Sequence, residues 1–288
     1  MYALGLSIRK QSVSIPPHSR SDPHFETFQD SAGREFAFGF PEGDQFLLRV
    51  CDLGTFLIQP GYSEATGFAD AGVDPGSLRD MFFHAIAPWM LQRGPWECVH
   101  GSAVLAGGGV VAFSGMADRG KSTLARAWCD RGAYAYADDA VPFLVRDGVV
   151  MGACLPQRLR LRGPAAARFP KDSPAVGNGV AASEHAHDLE PTMRPLRSIY
   201  WVETMREPED RPLVQIDRIP GAEAFHLLLP QGRYLSFRDP ACNSKMVRNY
   251  LSLVRLTPVF RLSFAAGLDL LPAVLDRLEE HQQKIAVS

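Results

Sequence analysis

The chain has 288 residues, 46% hydrophobic and 22% charged, a globular balance that excludes wholesale disorder. Lys and Arg number 30 against 32 Asp and Glu, so the net charge is −2 and the basic excess of a nucleic-acid binder is missing. At about 100–200 residues per domain, the length fits one large domain or two modest ones.

The first thirty-odd residues read as polar and irregular. From Arg34 the pattern turns strand-like: EFAFGF, then QFLLRVCDL, then TFLIQP, with Gly and Asp between the runs. A polar stretch follows from Tyr62 to Pro75. Leu78, Met81, Phe82, Ala85, Ile86 and Met90 then recur at three- and four-residue spacing, which predicts an amphipathic helix over Pro75–Gln92. Arg93-Gly94-Pro95 ends it. A boundary here gives an N-terminal β-rich α+β region over 1–95, suited to acceptor recognition, and a second domain over 96–288.

In the second part, Trp96–Leu105 reads as one strand, Ala106–Gly109 as a turn and Val110–Ser114 as a short apolar strand. A glycine-bearing loop leads to a helix over Lys121–Arg131, with Leu124, Ala127 and Trp128 on one face and Gly132 at its C-terminal end. Tyr134–Ala137 is a strand ending at Asp138-Asp139. Val141–Val145 and Val149–Met151 flank Arg146-Asp147-Gly148 as a hairpin. Gly163–Pro195, rich in Pro, Gly, Ala and Ser, reads as a long loop able to close over an acceptor. Arg158, Arg160 and Arg162 alternate as if on one face of an extended strand, either a solvated edge or a contact for phosphate or an acidic peptide end. Ser198–Glu203 is a further strand. Helices over Cys242–Leu256 and Leu268–Gln283 bracket a strand over Val259–Ser263.

No run approaches the roughly 18 apolar residues of a membrane span, and the N-terminus lacks the apolar run of a signal peptide. The expectation is a soluble, cytoplasmic protein that meets neither membrane nor nucleic acid. Cys51, Cys98, Cys129, Cys154 and Cys242 are scattered, with no C-x-x-C pair, and read as free thiols.

The sharpest local signal is Gly115-Met116-Ala117-Asp118-Arg119-Gly120-Lys121-Ser122, which fits G-x-x-x-x-G-K-[ST] between an apolar strand and a helix. Glycines let backbone N–H groups turn toward phosphate oxygens, and the helix start adds unpaired N–H groups and partial positive charge. Lys121 can reach terminal phosphates, and the Ser122 hydroxyl can hold magnesium. Gly115, Ala117, Asp118, Arg119, Gly120 and Thr123 complete the candidate nucleotide-binding set. Asp118 is unusual there, because a carboxylate about 4–5 Å from phosphate is repelled by roughly a few kcal/mol. It must point outward, bind the metal or pair with a cation, for which Arg119 is a candidate.

Asp138-Asp139 follows Lys121 by seventeen residues and ends a strand. Adjacent carboxylates there can divide labour, one holding magnesium and the other accepting a proton; a solvated turn would use the same residues. His100 lies one hairpin before the loop, where its side chain can face the nucleotide or serve the core.

Together, the run from Cys98 to Phe143 resembles the HPr kinase/phosphorylase family and its smaller bacterial relatives, including serine kinases of lasso-peptide gene clusters. The carriers are His100-Gly101, the glycine turn, the phosphate loop, the helix ending Arg131-Gly132, and Asp138-Asp139, in that order. Fainter likeness extends to Leu159-Arg160-Leu161 and Pro195–Tyr200. The resemblance implies an α/β fold with a mixed, twisted sheet around the phosphate loop, like the nucleotide domain of phosphoenolpyruvate carboxykinase. It implies ATP with magnesium and phosphoryl transfer to a serine hydroxyl of a peptide or protein. By carry-over, Asp138 is the general base and Asp139 its metal- or lysine-contacting neighbour. Lys121 and Ser122 take phosphate and magnesium, and His100 lies near the transferred group. The family carries a small residue and Gly where Ala117 and Asp118 stand, and its signature for phosphate-driven dephosphorylation is not found. Alternatives are a small-molecule hydroxyl kinase and a nucleotide-sensing module without transfer. The oligomeric state stays open.

Overall fold

Strands and helices alternate along a chain that divides into two compact units, Met1–Pro95 with the short strand His187–Asp188, and the remainder from Trp96 onward. The computed structural model describes residues 3–9, 13–16, 19–21, 24–29, 33–155, 159, 161, 163–169, 187–188, 192–205, 212–232 and 240–287. Among them no helix is long and apolar enough to cross a membrane.

The first unit holds β1 (Ala3–Arg9), β2 (Glu26–Gln29), β3 (Glu35–Glu42), β4 (Gln45–Val50), β5 (Gly54–Ile58) and β6 (Glu64–Ala69). They form a mixed sheet, β2 to β6 running as an antiparallel meander and β1 adding parallel to β6. The central hairpins lie where the alternating pattern puts them. β1, β2 and β6 fall in stretches that read as irregular. β1 does carry a local strand signal, Leu4, Leu6 and Ile8 in alternation, whereas β2 and β6 hold one large apolar residue each and become strands by long-range pairing, which local pattern does not report. The helical segment begins as expected at Pro75, capped by the Asp74 side chain, which accepts from Ser77 N at 3.2 Å. It runs as α1 (Pro75–Met81), a π turn over Phe82–Ile86, and α2 (Ala87–Arg93). Leu78 is fully buried in space left by Gly54 and Gly67, where added Cβ atoms would lie 2.8 and 2.9 Å from its methyls.

The second unit begins with β7 (Glu97–Val99), β8 (Gly101–Ala106), β9 (Gly109–Ser114), α3 (Lys121–Cys129) and β10 (Tyr134–Ala137). The hairpin β11 (Val141–Arg146) and β12 (Val149–Gly152) turns at Asp147-Gly148, both at positive φ as a tight hairpin turn requires. Then come α4 (Gly163–Arg168), the first unit's β13 (His187–Asp188), β14 (Arg194–Met205), β15 (Val214–Arg218), α5 (Gly221–Leu228), α6 (Pro240–Leu256), β16 (Val259–Ala265) and α7 (Leu271–Val287). The sheet is mixed, in the order β10-β8-β9-β14-β12-β11-β7, with β16 also pairing parallel to β14 and β15 closing antiparallel on β16.

Two expectations change here. Gly163–Pro195 is not without regular structure, because α4, β13 and the start of β14 lie in it. Residues 170–186 and 189–191 of that stretch, and Arg158, Arg160 and Arg162, lie outside the described residues. The expected single strand Trp96–Leu105 is two strands. β7 pairs with β11 at one end of the strand order, while β8 lies between β10 and β9 near the other. A single residue, His100, joins them, and one residue spans only about 3.5 Å. The strand order must therefore curl back on itself, bringing its ends together at His100.

Gly101 permits this crossing. A Cβ there would sit 2.3 Å from the Phe113 carbonyl oxygen. Gly101→Ala is expected to cost about 1–3 kcal/mol of stability through forced strand displacement. Urea denaturation checks this, and a loss below about 0.5 kcal/mol, the ordinary surface-substitution range, would contradict it.

Candidate functional site

The loop between β9 and α3 is held at both ends by glycine. Gly115 has φ +141°, and a Cβ there would meet the Val202 carbonyl at 2.8 Å, so no larger residue fits. Gly120 has φ +86° and caps α3, whose first-turn N–H groups have no partner within the helix. Asp118 also lies in the left-handed region, at φ +59°, where Asp is one of the few non-glycine residues tolerated. The Lys121 ammonium is buried against its own loop, donating to the carbonyls of Gly115 at 3.0 Å and Met116 at 2.8 Å. Burial pulls its pKa below the usual lysine range, against the opposing pull of the Asp139, Asp118 and Asp138 carboxylates.

The two adjacent aspartates part company at the end of β10. Asp138 has no exposed surface. Its Oδ1 accepts from Ser122 Oγ at 2.8 Å and from Ser102 Oγ at 2.6 Å, and the two hydroxyl oxygens are 3.1 Å apart. Asp139, at φ +59°, is half-buried and lines the cavity. Its carbonyl accepts from His100 Nδ1 at 2.9 Å. A carbonyl only accepts, so Nδ1 carries the proton and Nε2 is the bare nitrogen of the neutral ring. Burial, and after it the Lys121 charge, hold the His100 pKa below the usual histidine value.

These groups surround a cavity of about 810 Å³. His100, Ala117, Asp118, Arg119, Gly120, Lys121, Ser122, Thr123 and Asp139 all line it, while Gly115 lies at the base of the loop and Asp138 behind Ser102 and Ser122. Arg119 donates to Thr204 Oγ1 on β14 at 2.6 Å, and among the described residues no ion pair joins it to Asp118. Part of the lining is apolar: Leu161, Pro164 and Ala165 with Phe264, Leu268 and Leu271. A polar end and an apolar wall in a volume within the roughly 300–1,000 Å³ of small-molecule sites suit a phosphorylated ligand with a flat apolar part.

Sequence reading missed Ser102, Thr204 and the apolar wall. Ser102 had a signal, since it stands two residues from His100 and so on the same face of an extended chain. Thr204 stands 85 positions beyond Arg119, and the wall comes from segments on both sides of it in the chain, joined to the loop only by folding.

No cluster of three or more His, Cys, Asp or Glu side chains stands ready for a metal among the described residues. Magnesium at a phosphate loop needs none, being held by a hydroxyl, a carboxylate and substrate phosphates. Ser122 with Asp138 behind it fits that donor set.

No protein-family model matches the sequence, and no curated protein matches it. Among solved structures the chain matches the Hpr(Ser) kinase/phosphatase from Coxiella burnetii, at 15% identity and a TM-score of 0.35, over 66% of this chain and 99% of that one. So loose a superposition carries no functional argument, and function must be read from the site itself.

The His100 shift has a defined sign. With its folded pKa below the unfolded value, the unfolded chain takes up the proton first as pH falls. Stability owed to the neutral ring is complete above about pH 6.5 and declines as pH falls toward the folded value. Wild type is therefore expected to lose stability relative to His100→Asn between pH 7 and 5.5, read by urea denaturation across that range. A wild-type gain on acidification would mean that the folded pKa is raised.

Proposed function

We propose that the protein is an ATP-dependent phosphotransferase, a kinase that transfers the terminal phosphoryl group to a serine hydroxyl of a peptide or protein. The observation that carries this reading is the Ser122–Asp138 hydrogen bond at 2.8 Å, which ties the serine that follows the loop lysine, at the cavity wall, to the strand-end carboxylate behind it. That pairing suits a magnesium-nucleotide site better than a chance glycine-rich turn. The serine acceptor, and a lasso-type precursor peptide as one such substrate, rest on the motif resemblance alone.

The geometry supports a division of labour opposite to that implied by the resemblance. Asp138 is fully buried behind two hydroxyls, where it anchors Ser122 for the metal. Asp139 lines the cavity and is the carboxylate placed to take a proton. Ser122, anchored by Asp138, would hold magnesium, which when bound neutralises phosphate charge. The acceptor hydroxyl gives its proton to Asp139 while its oxygen bonds to the terminal phosphorus. The bond from that phosphorus to the bridging oxygen breaks, and ADP leaves. Lys121, released from the loop carbonyls, and the α3 N-terminus stabilise the charge spreading over the transferred group. His100, held through Nδ1, presents a neutral ring beside it.

Binding of a nucleotide without transfer is the second reading. It draws on Asp118, whose carboxylate lines the cavity beside the loop and opposes phosphate.

Thermal unfolding with Mg-ATP separates these readings. A ligand at about a hundred times its Kd adds roughly 2.7 kcal/mol. A magnesium-dependent stabilisation is expected in wild type and is expected to vanish in Lys121→Ala. Asp139→Asn is expected to keep it while transfer to a serine peptide falls about 10²–10⁴-fold. Magnesium-ATP stabilisation of wild type without transfer to any hydroxyl acceptor would favour sensing, undiminished transfer in Asp139→Asn would remove Asp139 as the base, and no stabilisation of wild type by any nucleoside triphosphate would sink both readings.

A further inference from the structure

Ser102 is related to Asp138 in the same way as the loop serine. Both hydroxyls donate to the same carboxylate oxygen, at 2.6 Å from Ser102 and 2.8 Å from Ser122. Both residues line the cavity, and Asp138 lies behind them with no exposed surface. A hydroxyl has one proton and two lone pairs. With the proton of each directed back to Asp138, each oxygen keeps its lone pairs for a group on the cavity side. The oxygens are 3.1 Å apart. Adjacent ligands of magnesium, at 2.0–2.1 Å from the ion and at right angles, stand about 2.9 Å apart.

We propose that Ser102 is a second protein ligand of the divalent cation, adjacent to Ser122, so that the cation is held by a pair of serine hydroxyls polarised by one buried carboxylate. This rests on the nucleotide-site reading above and deepens it. A phosphate loop by itself supplies one hydroxyl, from the residue after its lysine. Here β8 supplies another, through the chain crossing that also places His100. Two neutral oxygens backed by a single charge make a hard-oxygen seat, suited to magnesium or manganese rather than to softer metals.

The test uses the full chain and manganese as the probe, titrated by electron paramagnetic resonance into protein saturated with ATP, with metal-free ATP binding measured separately in chelator. Ser102→Ala, one atom smaller than wild type, is expected to weaken manganese binding about tenfold or more and to leave metal-free ATP binding unchanged. Ser102→Thr, which restores the hydroxyl, is expected to bind manganese within a few-fold of wild type. Equal manganese affinity in Ser102→Ala and wild type would overturn the assignment while leaving the nucleotide site standing. Loss in both variants, with native circular dichroism, would mark a packing role and overturn it too. Failure of wild type to bind ATP in chelator or with manganese would remove the nucleotide reading itself, and this proposal with it.

Discussion

A carboxylate with no exposed surface is the constraint around which this site is built. Taking an ionised group out of water costs several kcal/mol unless donors surround it. Asp138 meets that demand through Ser102 on β8 and Ser122 on α3, which converge on one oxygen. Three elements are thus tied at one atom: the strand that carries the carboxylate, its sheet neighbour and the helix that follows the loop. Any displacement of α3 would break a hydrogen bond to a buried charge, among the more costly bonds to lose. The need to satisfy one charge also fixes the reach of the loop, so stability and site geometry are the same requirement.

The curl of the second sheet supplies the remaining alignment. Because β7 and β8 are joined by His100 alone, the ends of the strand order meet there, and the histidine is held on its backbone from both sides. Its N–H donates to the Gln231 carbonyl at 3.0 Å, and its carbonyl accepts from Ser114 Oγ at 2.9 Å. Its ring donates to the carbonyl of Asp139, the residue next to the buried carboxylate. Asp139 takes a left-handed conformation, and Ala140 N bonds back to the Asp138 carbonyl at 2.7 Å. This tight turn lets two successive aspartates serve opposite purposes, one within the protein and one at the cavity. A sheet that ran flat would leave His100 far from the loop.

Local chemistry was legible in the sequence, and chemistry assembled over distance was not. The glycine-bearing loop at Gly115–Gly120, its flanking strand and helix, and the Asp147-Gly148 hairpin each depend on residues within a few positions of one another, and each stands where the sequence places it. The Pro75 helix was legible in extent but not in its π turn, which local periodicity does not distinguish from an α turn over so short a run. β6 is weak alone and forms through parallel pairing with a distant segment, whereas β1 carries an alternating signal, Leu4, Leu6 and Ile8, within a polar surround. The division of Trp96–Leu105 is marked locally only by His100-Gly101-Ser102, an interruption too short to tell from the exposed positions of one strand. Only the pairing partners reveal that the chain changes place in the sheet. In the site, the residue types at Asp138 and Asp139 were readable, but their division of labour depends on which carboxylate is buried, a property of three dimensions.

Asp118 is where local and electrostatic demands meet. Its backbone needs a left-handed conformation, which glycine would adopt freely and aspartate adopts at a cost of about 1–2 kcal/mol. In the same position its carboxylate acts on Lys121, opposing, after Asp139, the burial that lowers the pKa of the ammonium. That help falls to the ligand-free protein, where the direct partners of Lys121 among the described residues are the loop carbonyls of Gly115 and Met116. On the proposed nucleotide reading, a phosphate entering the cavity would bring its own negative charge to Lys121 while the Asp118 carboxylate would still repel it. On that reading the same side chain would stabilise the empty loop and weaken the filled one, whereas glycine at this position would favour retention.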